Sequence, residues 1–285
     1  MSKRAASRQP PDRVSLRNVT FPLFTPAEDP GPSFVALLAR LGMDRPGSDL
    51  GPATPQGLEG VAHGTTVLAI RFIDGVVMAG DRRATSGHLI SHRSIEKVFP
   101  ADSGSGVAIA GAAGPAMEMV RLFQLQLEHY EKVEGNPLSL EGKANQLTLM
   151  LRSHLPVALM GLPVVPLFAG YDQHQGRGRL FQFDITGGRY EEQDHAATGS
   201  GSLHATTVMK LRFSDGLDAD SALDLAIEAL FQAADEDSAT GGPDMVRGIF
   251  PVLATITSSG FERLPDEDVA SRTTGLLERL SGGAR

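Results

Sequence analysis

Three residues of the first half of the chain could together make a nucleophile: Thr65, Asp81 and Lys97. Thr65 follows Gly64, and glycine permits the tightly turned backbone that brings a hydroxyl onto its own preceding carbonyl. If the chain is cut between these two residues, Thr65 carries both a hydroxyl nucleophile and a free α-amine that can act as its base. Its β-methyl also restricts χ1 and so holds the oxygen in place.

Such a nucleophile needs a buried cation to lower the pKa of its hydroxyl and amine, and a carboxylate to keep that cation paired. Asp81 ends an apolar segment that starts at Val76, and Lys97 lies within the apolar segment Ile95–Phe99, which we predict to be a strand. Each residue also has a purely structural interpretation. Asp81 alone suits a turn or a cap, a lysine in a strand is usually on an exposed face, and Gly64-Thr65 suits a strand start.

The composition narrows the function classes. The chain has 285 residues, 41% of them hydrophobic, and a formal charge of −8. Because it has no run of Lys or Arg, nucleic acid is not an expected partner. It has no cysteine, which excludes disulfides, thiolate metal sites and a cysteine nucleophile. No third ligand accompanies His88 and His92 at a metal-binding spacing, so we expect neither a metal nor a cofactor.

Residues 1–64 differ from the rest of the chain. They carry 7 basic and 6 acidic residues, whereas the remainder carries 19 and 28. Two loop-like pieces flank one short apolar segment, Phe34–Leu41, which is too short to form its own core. A removable propeptide has this character, and so has a flexible tail. The basic start is followed by Pro10-Pro11 where a signal peptide needs an apolar run, and no membrane span is present, so we expect a cytoplasmic protein.

From Thr65 onward the apolar periodicity predicts strands, two helices, strands, two helices and a strand. Asp74-Gly75 predicts a hairpin, and Pro156 is expected to end the second helix. Strands followed by helices in this order indicate an α+β protein rather than a parallel βαβ sheet. We therefore expect two antiparallel sheets with a helix pair on each outer face.

Several motifs, read together, resemble the catalytic β-subunits of the 20S proteasome, of the bacterial (actinobacterial) type. The resemblance runs from Thr65 to about Thr257 and rests on these motifs: Gly64-Thr65-Thr66-Val67, Gly80-Asp81-Arg82-Arg83-Ala84-Thr85, Lys97-Val98, Ala110-Gly111 with Gly114, Thr198-Gly199-Ser200-Gly201 and Asp237-Ser238-Ala239-Thr240-Gly241-Gly242. It implies the four-layer αββα sandwich of the N-terminal nucleophile hydrolases. It also implies a threonine endopeptidase domain, residues 65–285, released from a propeptide, residues 1–64, by autolysis at Gly64-Thr65.

The resemblance also implies the roles of individual residues. Thr65 is the nucleophile, its released α-amine is the base, and Asp81 and Lys97 form the charge pair. The backbone N–H of Gly111 is the oxyanion donor. A supporting shell around the terminal amine is formed by Ser200, Asp237 and Thr240. The family usually has serine where this chain has Thr240, and the hydroxyl is retained.

The same resemblance places an extended substrate beside the nucleophile. Thr85 and Ala113 are expected to pair with its backbone as an added strand. The specificity pocket is expected to consist of Ala84, Ile95, Phe99, Ile109, Ala113 and Met117. These residues are apolar and include no charge that would attract a charged side chain. We therefore expect cleavage after bulky apolar residues, although each pocket residue could instead be an ordinary core residue.

Three functions remain to be compared. The first is a threonine peptidase subunit of a closed particle. The resemblance implies stacked heptameric rings (α7β7β7α7) with outer α and inner β subunits, a ring ATPase acting through the α-ring, and substrates tagged by a small ubiquitin-like protein. The second is an amidohydrolase of the same fold, which needs a polar pocket. The third is a non-catalytic ring subunit, which typically loses the Gly-Thr junction or the lysine; this chain keeps both.

Overall fold

The computed structural model describes residues 64–282, which form twelve strands and five helices. The strands are β1 Thr66–Phe72, β2 Gly75–Gly80, β3 Ala84–Ser86, β4 Leu89–His92, β5 Val98–Asp102, β6 Ser105–Gly111, β7 Val164–Asp172, β8 Arg177–Phe183, β9 Arg189–Glu192, β10 His195–Gly199, β11 Val252–Thr257 and β12 Gly260–Arg263. The helices are α1 Ala113–Glu134, α2 Leu140–Leu159, α3 Ser202–Arg212, α4 Ala219–Glu236 and α5 Asp266–Gly282. The predicted leader lies outside the described residues except for Gly64.

The strands form two five-stranded antiparallel sheets and one short ribbon. The first sheet has the order β10-β1-β2-β11-β12 and the second the order β5-β6-β7-β8-β9, while β3 pairs with β4 alone. The predicted hairpin joins β1 to β2, where Phe72 pairs with Gly75. Gly75 is needed there because a side chain would lie 2.0 Å from the carbonyl oxygen of Ile256.

Alternation along β1 explains why the two sheets stack. Val67 and Ala69 are buried against the second sheet, within a cluster that also contains Leu167 of β7. Leu68 and Ile70 are buried in a different cluster, on the opposite face, together with residues of α3, α4 and α5. Since successive side chains of a strand point to opposite faces, β1 is apolar on both sides and belongs to an inner layer.

The helices cover the two outer sheet faces. Helices α1 and α2 pack on the second sheet through a cluster that includes Phe123, Leu147 and Phe168. Helices α3, α4 and α5 cover the first sheet. The resulting order of layers is helix, sheet, sheet, helix, which confirms the predicted four-layer sandwich, with a third helix added to one of the expected pairs.

The structure differs from the sequence-based expectation in several local features. Helix α2 continues past Pro156 to Leu159, where it ends with the N–H of Gly161 bonded to the carbonyl of Ala158. Lys97 precedes β5 instead of lying within a strand. Its carbonyl nevertheless accepts a hydrogen bond from the N–H of Ile109, so the segment is still tied to β6. Among residues 64–282, no helix is long and apolar enough to cross a membrane.

Candidate active site

Thr65 lies immediately before β1 and is held in place through its backbone carbonyl. Its carbonyl accepts a hydrogen bond from the N–H of Ser200 at 2.9 Å, and the residue is 6% exposed. A side chain at Gly199 would lie 1.8 Å from the same carbonyl oxygen, and the residue has a φ of +104°, which glycine adopts without strain. The turn between β10 and α3 therefore fixes the position of Thr65.

The carboxylate of Asp81 is fully buried and accepts four hydrogen bonds. Its Oδ1 accepts from Nζ of Lys97 at 2.6 Å and from the N–H of Thr66 at 2.9 Å. Its Oδ2 accepts from the N–H groups of Arg83 and Gly241, both at 2.8 Å. Because every donor comes from a different segment, Asp81 joins the start of β1, the loop after β2, the residue before β5 and the loop after α4. A buried carboxylate needs this degree of saturation.

Lys97 is 4% exposed and donates two hydrogen bonds, one to Asp81 and one, at 2.6 Å, to the carbonyl oxygen of Arg83. Burial is the strongest influence on its pKa and lowers it, while the attraction of Asp81 opposes the change without cancelling it. The two bonds use two of the three N–H groups of the ammonium. The structure thus brings together the cation and carboxylate that the sequence predicts.

The predicted supporting shell is also brought together. Oδ2 of Asp237 accepts hydrogen bonds from the hydroxyls of Ser200 at 2.5 Å and Thr240 at 2.6 Å. Its Oδ1 accepts from the N–H of Ala239 at 3.2 Å. Burial by itself raises the pKa of Asp237, but these hydrogen bonds outweigh it, so the pKa lies below its ordinary value. Asp237 is therefore an anion held at the end of α4.

Sequence reasoning missed the part played by Thr66. Its hydroxyl is fully buried, lies 2.6 Å from the hydroxyl of Thr240, and accepts a hydrogen bond from the N–H of Gly201 at 2.9 Å. The residue joins the two clusters, because its backbone N–H binds Asp81 while its side chain binds Thr240. The only indication in the sequence was the second threonine after Gly64, and a threonine at this position is equally typical of an ordinary strand.

Thr65 and Lys97 line one pocket, which has an empty volume of about 300 Å³. The other lining residues are Ile95, Glu96, Ile109, Ala110, Gly111, Ala113, Ala116 and Met117. The predicted oxyanion donor Gly111 stands at the end of β6 with a φ of +107°, where a side chain would lie 2.1 Å from the carbonyl oxygen of Pro163. The chain can pass this close to Pro163, in this conformation, only as glycine.

Four of the predicted substrate-binding residues line this pocket, namely Ile95, Ile109, Ala113 and Met117. The structure does not place the other three in its lining. Phe99 packs toward the core beneath α1 and α2, and Ala84 is buried in β3. Thr85 instead lies beside Gly64, since a side chain at Gly64 would come within 2.5 Å of its hydroxyl oxygen.

The pocket also contains charge that the sequence-based expectation left out. Glu96 and Lys97 both contribute to its lining. Each already has an oppositely charged partner, since Glu96 lies 2.5 Å from Arg263 and Lys97 is bonded to Asp81. Apart from Thr65, the remaining lining is apolar or glycine. In the described part of the chain, no group of three or more His, Asp and Glu residues could hold a metal ion.

The comparison with known families agrees with this geometry. The model of the proteasome subunit family matches residues 61–247. The chain belongs to that family. As a proteasome subunit it is part of a protease, and the matched region contains Thr65, Asp81, Lys97, Asp237 and every other predicted site residue.

Relatives of similar length support the assignment. The chain is 57% identical over 253 residues to a proteasome subunit beta of Acidimicrobium ferrooxidans, which covers 87% of this chain and 90% of the relative. It is 56% identical over 224 residues to a proteasome subunit beta of Streptomyces griseus, an alignment that covers 79% of this chain and 80% of the relative. A third, from Acidothermus cellulolyticus, is 55% identical over 261 residues, covering 90% and 88%.

Proposed function

We propose that this proteasome subunit is a catalytic β-subunit whose nucleophile is Thr65, released by autolysis after Gly64. One observation carries the proposal: Thr65 shares a pocket with Lys97, whose ammonium lies 2.6 Å from the buried carboxylate of Asp81. A buried cation beside a hydroxyl stabilises the developing alkoxide, and a saturated carboxylate keeps that cation in place. A subunit with a purely structural role has no need of this pair.

In the mature enzyme the α-amine of Thr65 takes the proton of its hydroxyl, and the oxygen attacks the carbonyl of the scissile peptide bond. The N–H of Gly111 donates to the oxyanion of the tetrahedral intermediate. Collapse of the intermediate expels the new amino terminus of the product, which leaves with the proton. Water then attacks the ester carbonyl, assisted by the same amine, and restores the threonine hydroxyl.

Maturation uses the same hydroxyl on the preceding peptide bond. Attack of the Thr65 hydroxyl on the carbonyl of Gly64 breaks the Gly64–Thr65 amide bond, the hydroxyl proton passes to the departing α-amine, and an ester remains. Water then hydrolyses the ester, which frees residues 1–64 and restores the Thr65 hydroxyl. The space beside Gly64 supports this role, because a Cβ there would lie 2.3 Å from the Cβ of Ala239 and 2.5 Å from the hydroxyl oxygen of Thr85. Only glycine leaves room for its carbonyl to be presented without moving these neighbours.

The apolar lining of Ile95, Ile109, Ala113 and Met117 favours cleavage after bulky apolar residues, and the flexible methionine adapts the wall to their shapes.

Natural substrates are unfolded proteins. The subunit works in the cytoplasm, in inner β-rings between outer α-rings (α7β7β7α7), fed by a ring ATPase that receives proteins tagged by a ubiquitin-like protein. An amidohydrolase acting on small amides is less well supported, because both charges of the pocket are already paired.

The deciding experiment is to co-express the chain with a partner α-subunit and to measure intact mass and peptide hydrolysis. The expected mature chain begins Thr65-Thr66-Val67 and cleaves peptides after leucine or phenylalanine much faster than after lysine or glutamate. The variant Thr65→Ala should keep residues 1–64 and show no peptidase activity. An assembled particle that is active with its leader intact would contradict the mechanism.

A further inference from the structure

A second cleft lies behind Asp81, beside the loop that follows α4. Its empty volume is about 350 Å³, and nine residues line it, among them Arg82, Arg83, Arg93, Gly241 and Asp244. Three arginines around one cleft are unexpected in a chain with a formal charge of −8. We propose that this cleft is an oxyanion-binding site, which takes a carboxylate or a phosphate group.

The first line of support is that two of the three arginines, Arg83 and Arg93, have no oppositely charged partner within residues 64–282. Arg82 is paired through Nη2 with Asp266 at 2.8 and 3.1 Å, yet its buried Nε–H has no hydrogen-bond partner in residues 64–282. Arg83 donates to a carbonyl oxygen, that of Ser238, and forms no ion pair within that range. Arg93 is exposed and likewise forms no ion pair in the described part of the chain. A planar guanidinium is well suited to bind an oxyanion with two parallel hydrogen bonds.

The second line of support is that the carboxylate among the nine lining residues is already occupied. Asp244 binds the guanidinium of Arg247 at 2.7 Å and accepts hydrogen bonds from the N–H groups of Val246 and Arg247 at 3.1 and 2.9 Å. Asp244 closes its own loop and does not neutralise Arg83 or Arg93. An anion from outside is therefore the group that this cleft lacks.

Residues of the cleft also form hydrogen bonds with the catalytic pair, Asp81 and Lys97. The N–H groups of Arg83 and Gly241 both donate to Oδ2 of Asp81, and Arg83 supplies the carbonyl that binds Lys97. A side chain at Gly241 would lie 2.8 Å from the Cβ of Arg83 and 3.2 Å from Oδ2 of Asp81. An anion bound by Arg83 therefore stabilises the backbone segment that positions Asp81 and Lys97. We expect binding of the anion to raise the catalytic rate.

Two sources can supply the oxyanion: a free ion such as phosphate, or a carboxylate side chain of another copy of this chain. The second source rests on the proposed assembly into rings, whereas the first does not. Both are tested with the full chain. The probe is inorganic phosphate, titrated at constant ionic strength against sodium chloride, and the readout is the thermal unfolding midpoint.

In the unassembled chain, phosphate should raise the midpoint, and Arg93→Gln should weaken the apparent phosphate affinity about tenfold, as expected for one lost charge-assisted hydrogen bond. Because Arg93 is exposed, the variant should fold. The matched control is Arg121→Gln, which removes an exposed arginine of α1 outside the cleft lining. If phosphate has no effect on the midpoint, or affects Arg93→Gln and Arg121→Gln equally, the site does not exist.

The assembled particle then identifies the source. If phosphate also stabilises the particle and changes its peptidase rate, the ligand is a free ion. If phosphate acts on the unassembled chain alone, and Arg93→Gln slows assembly while Arg121→Gln does not, a carboxylate of a neighbouring copy fills the cleft. The measurements on the unassembled chain need no peptidase activity, so failure of the proposed function would leave the test of the site intact.

Discussion

The hydroxyl oxygens of Thr66 and Thr240 lie 2.6 Å apart, and the direction of the hydrogen bond between them is fixed by their other partners. Thr240 donates its single proton to Asp237, so it accepts from Thr66. Thr66 in turn accepts from the N–H of Gly201. A directed chain of three hydrogen bonds thus runs from the start of α3, through β1, to the end of α4.

The first prediction concerns the middle of this chain. Thr66→Val keeps the shape of the side chain but leaves the N–H of Gly201 and one lone pair of Thr240 buried without a partner. An unsatisfied buried polar group costs about 1–3 kcal/mol, so the free energy of unfolding should fall by that amount. Chemical denaturation of the unassembled chain measures it. Thr66→Ser, which keeps the hydroxyl, should lose distinctly less, and equal losses would show that the hydrogen bonds carry no stability.

A second prediction follows for the other hydroxyl. Thr240→Ser should retain both hydrogen bonds and near-normal peptidase activity, whereas Thr240→Val leaves Asp237 with one hydroxyl donor fewer. Because Asp237 and Ser200 surround the predicted position of the terminal amine, Thr240→Val should lower kcat more than it raises KM. A double-mutant cycle with Thr66→Val should show non-additive stability losses of roughly 0.5–3 kcal/mol, since the two residues share one hydrogen bond. Additive losses would contradict the coupling.

Much of the fold follows from local pattern, and the exceptions have physical causes. Strands β1, β2, β6 and β7 are apolar runs of the right length, so they were predicted from sequence. Strand β10 was missed because its polar start and its end at Gly199 look like a loop, and its strand character comes from pairing with β1. Beyond the last predicted strand the sequence indicated only a short helix and a frayed tail. Helix α5 is longer than that because Val269 and Leu276, two of its few apolar residues, reach the core cluster.

Site residues were predictable where the chemistry requires a particular residue type. They were not predictable where their role depends on tertiary packing. Asp81 and Lys97 were found because a threonine nucleophile needs both charges. The hydrogen bonds that allow Asp81 to be buried could not be deduced, since two of its backbone donors, Thr66 and Gly241, come from other segments of the chain. The pocket residue Glu96 was missed for a related reason. Its charge is paired with Arg263 of β12, a strand that the sequence did not indicate.

The third prediction addresses the residue before the cut. Gly64→Ala should slow maturation at least tenfold, because the added methyl must displace Ala239 or Thr85 before the carbonyl can be presented to Thr65. Intact mass as a function of time after assembly measures the rate. Gly104→Ala is the control, because a Cβ at Gly104 meets nothing within 4 Å. Normal processing of Gly64→Ala would show that glycine is not required there.

The last prediction is that Lys97 acts through its charge. Lys97→Met should assemble, because Asp81 keeps three backbone N–H donors after the ammonium is removed. Peptide hydrolysis and processing should both fall about a thousandfold, which corresponds to about 4 kcal/mol of lost transition-state stabilisation. Lys97→Arg keeps the charge but should also fail, because a planar guanidinium does not fit the place of an ammonium that binds both Asp81 and the carbonyl of Arg83.

The pH dependence provides an independent check on the same residue. Burial lowers the pKa of Lys97, so its charge is lost as pH rises through a value below that of a free lysine. Wild-type kcat should therefore fall on the alkaline side in that range. Between the folded pKa and the ordinary lysine value the unfolded chain binds one more proton, so this residue makes stability rise with pH there. Lys97→Met should lack that rise in the unfolding free energy of the unassembled chain. If Lys97→Met assembles and hydrolyses peptides at the wild-type rate, Lys97 is a structural residue and the proposed mechanism is wrong.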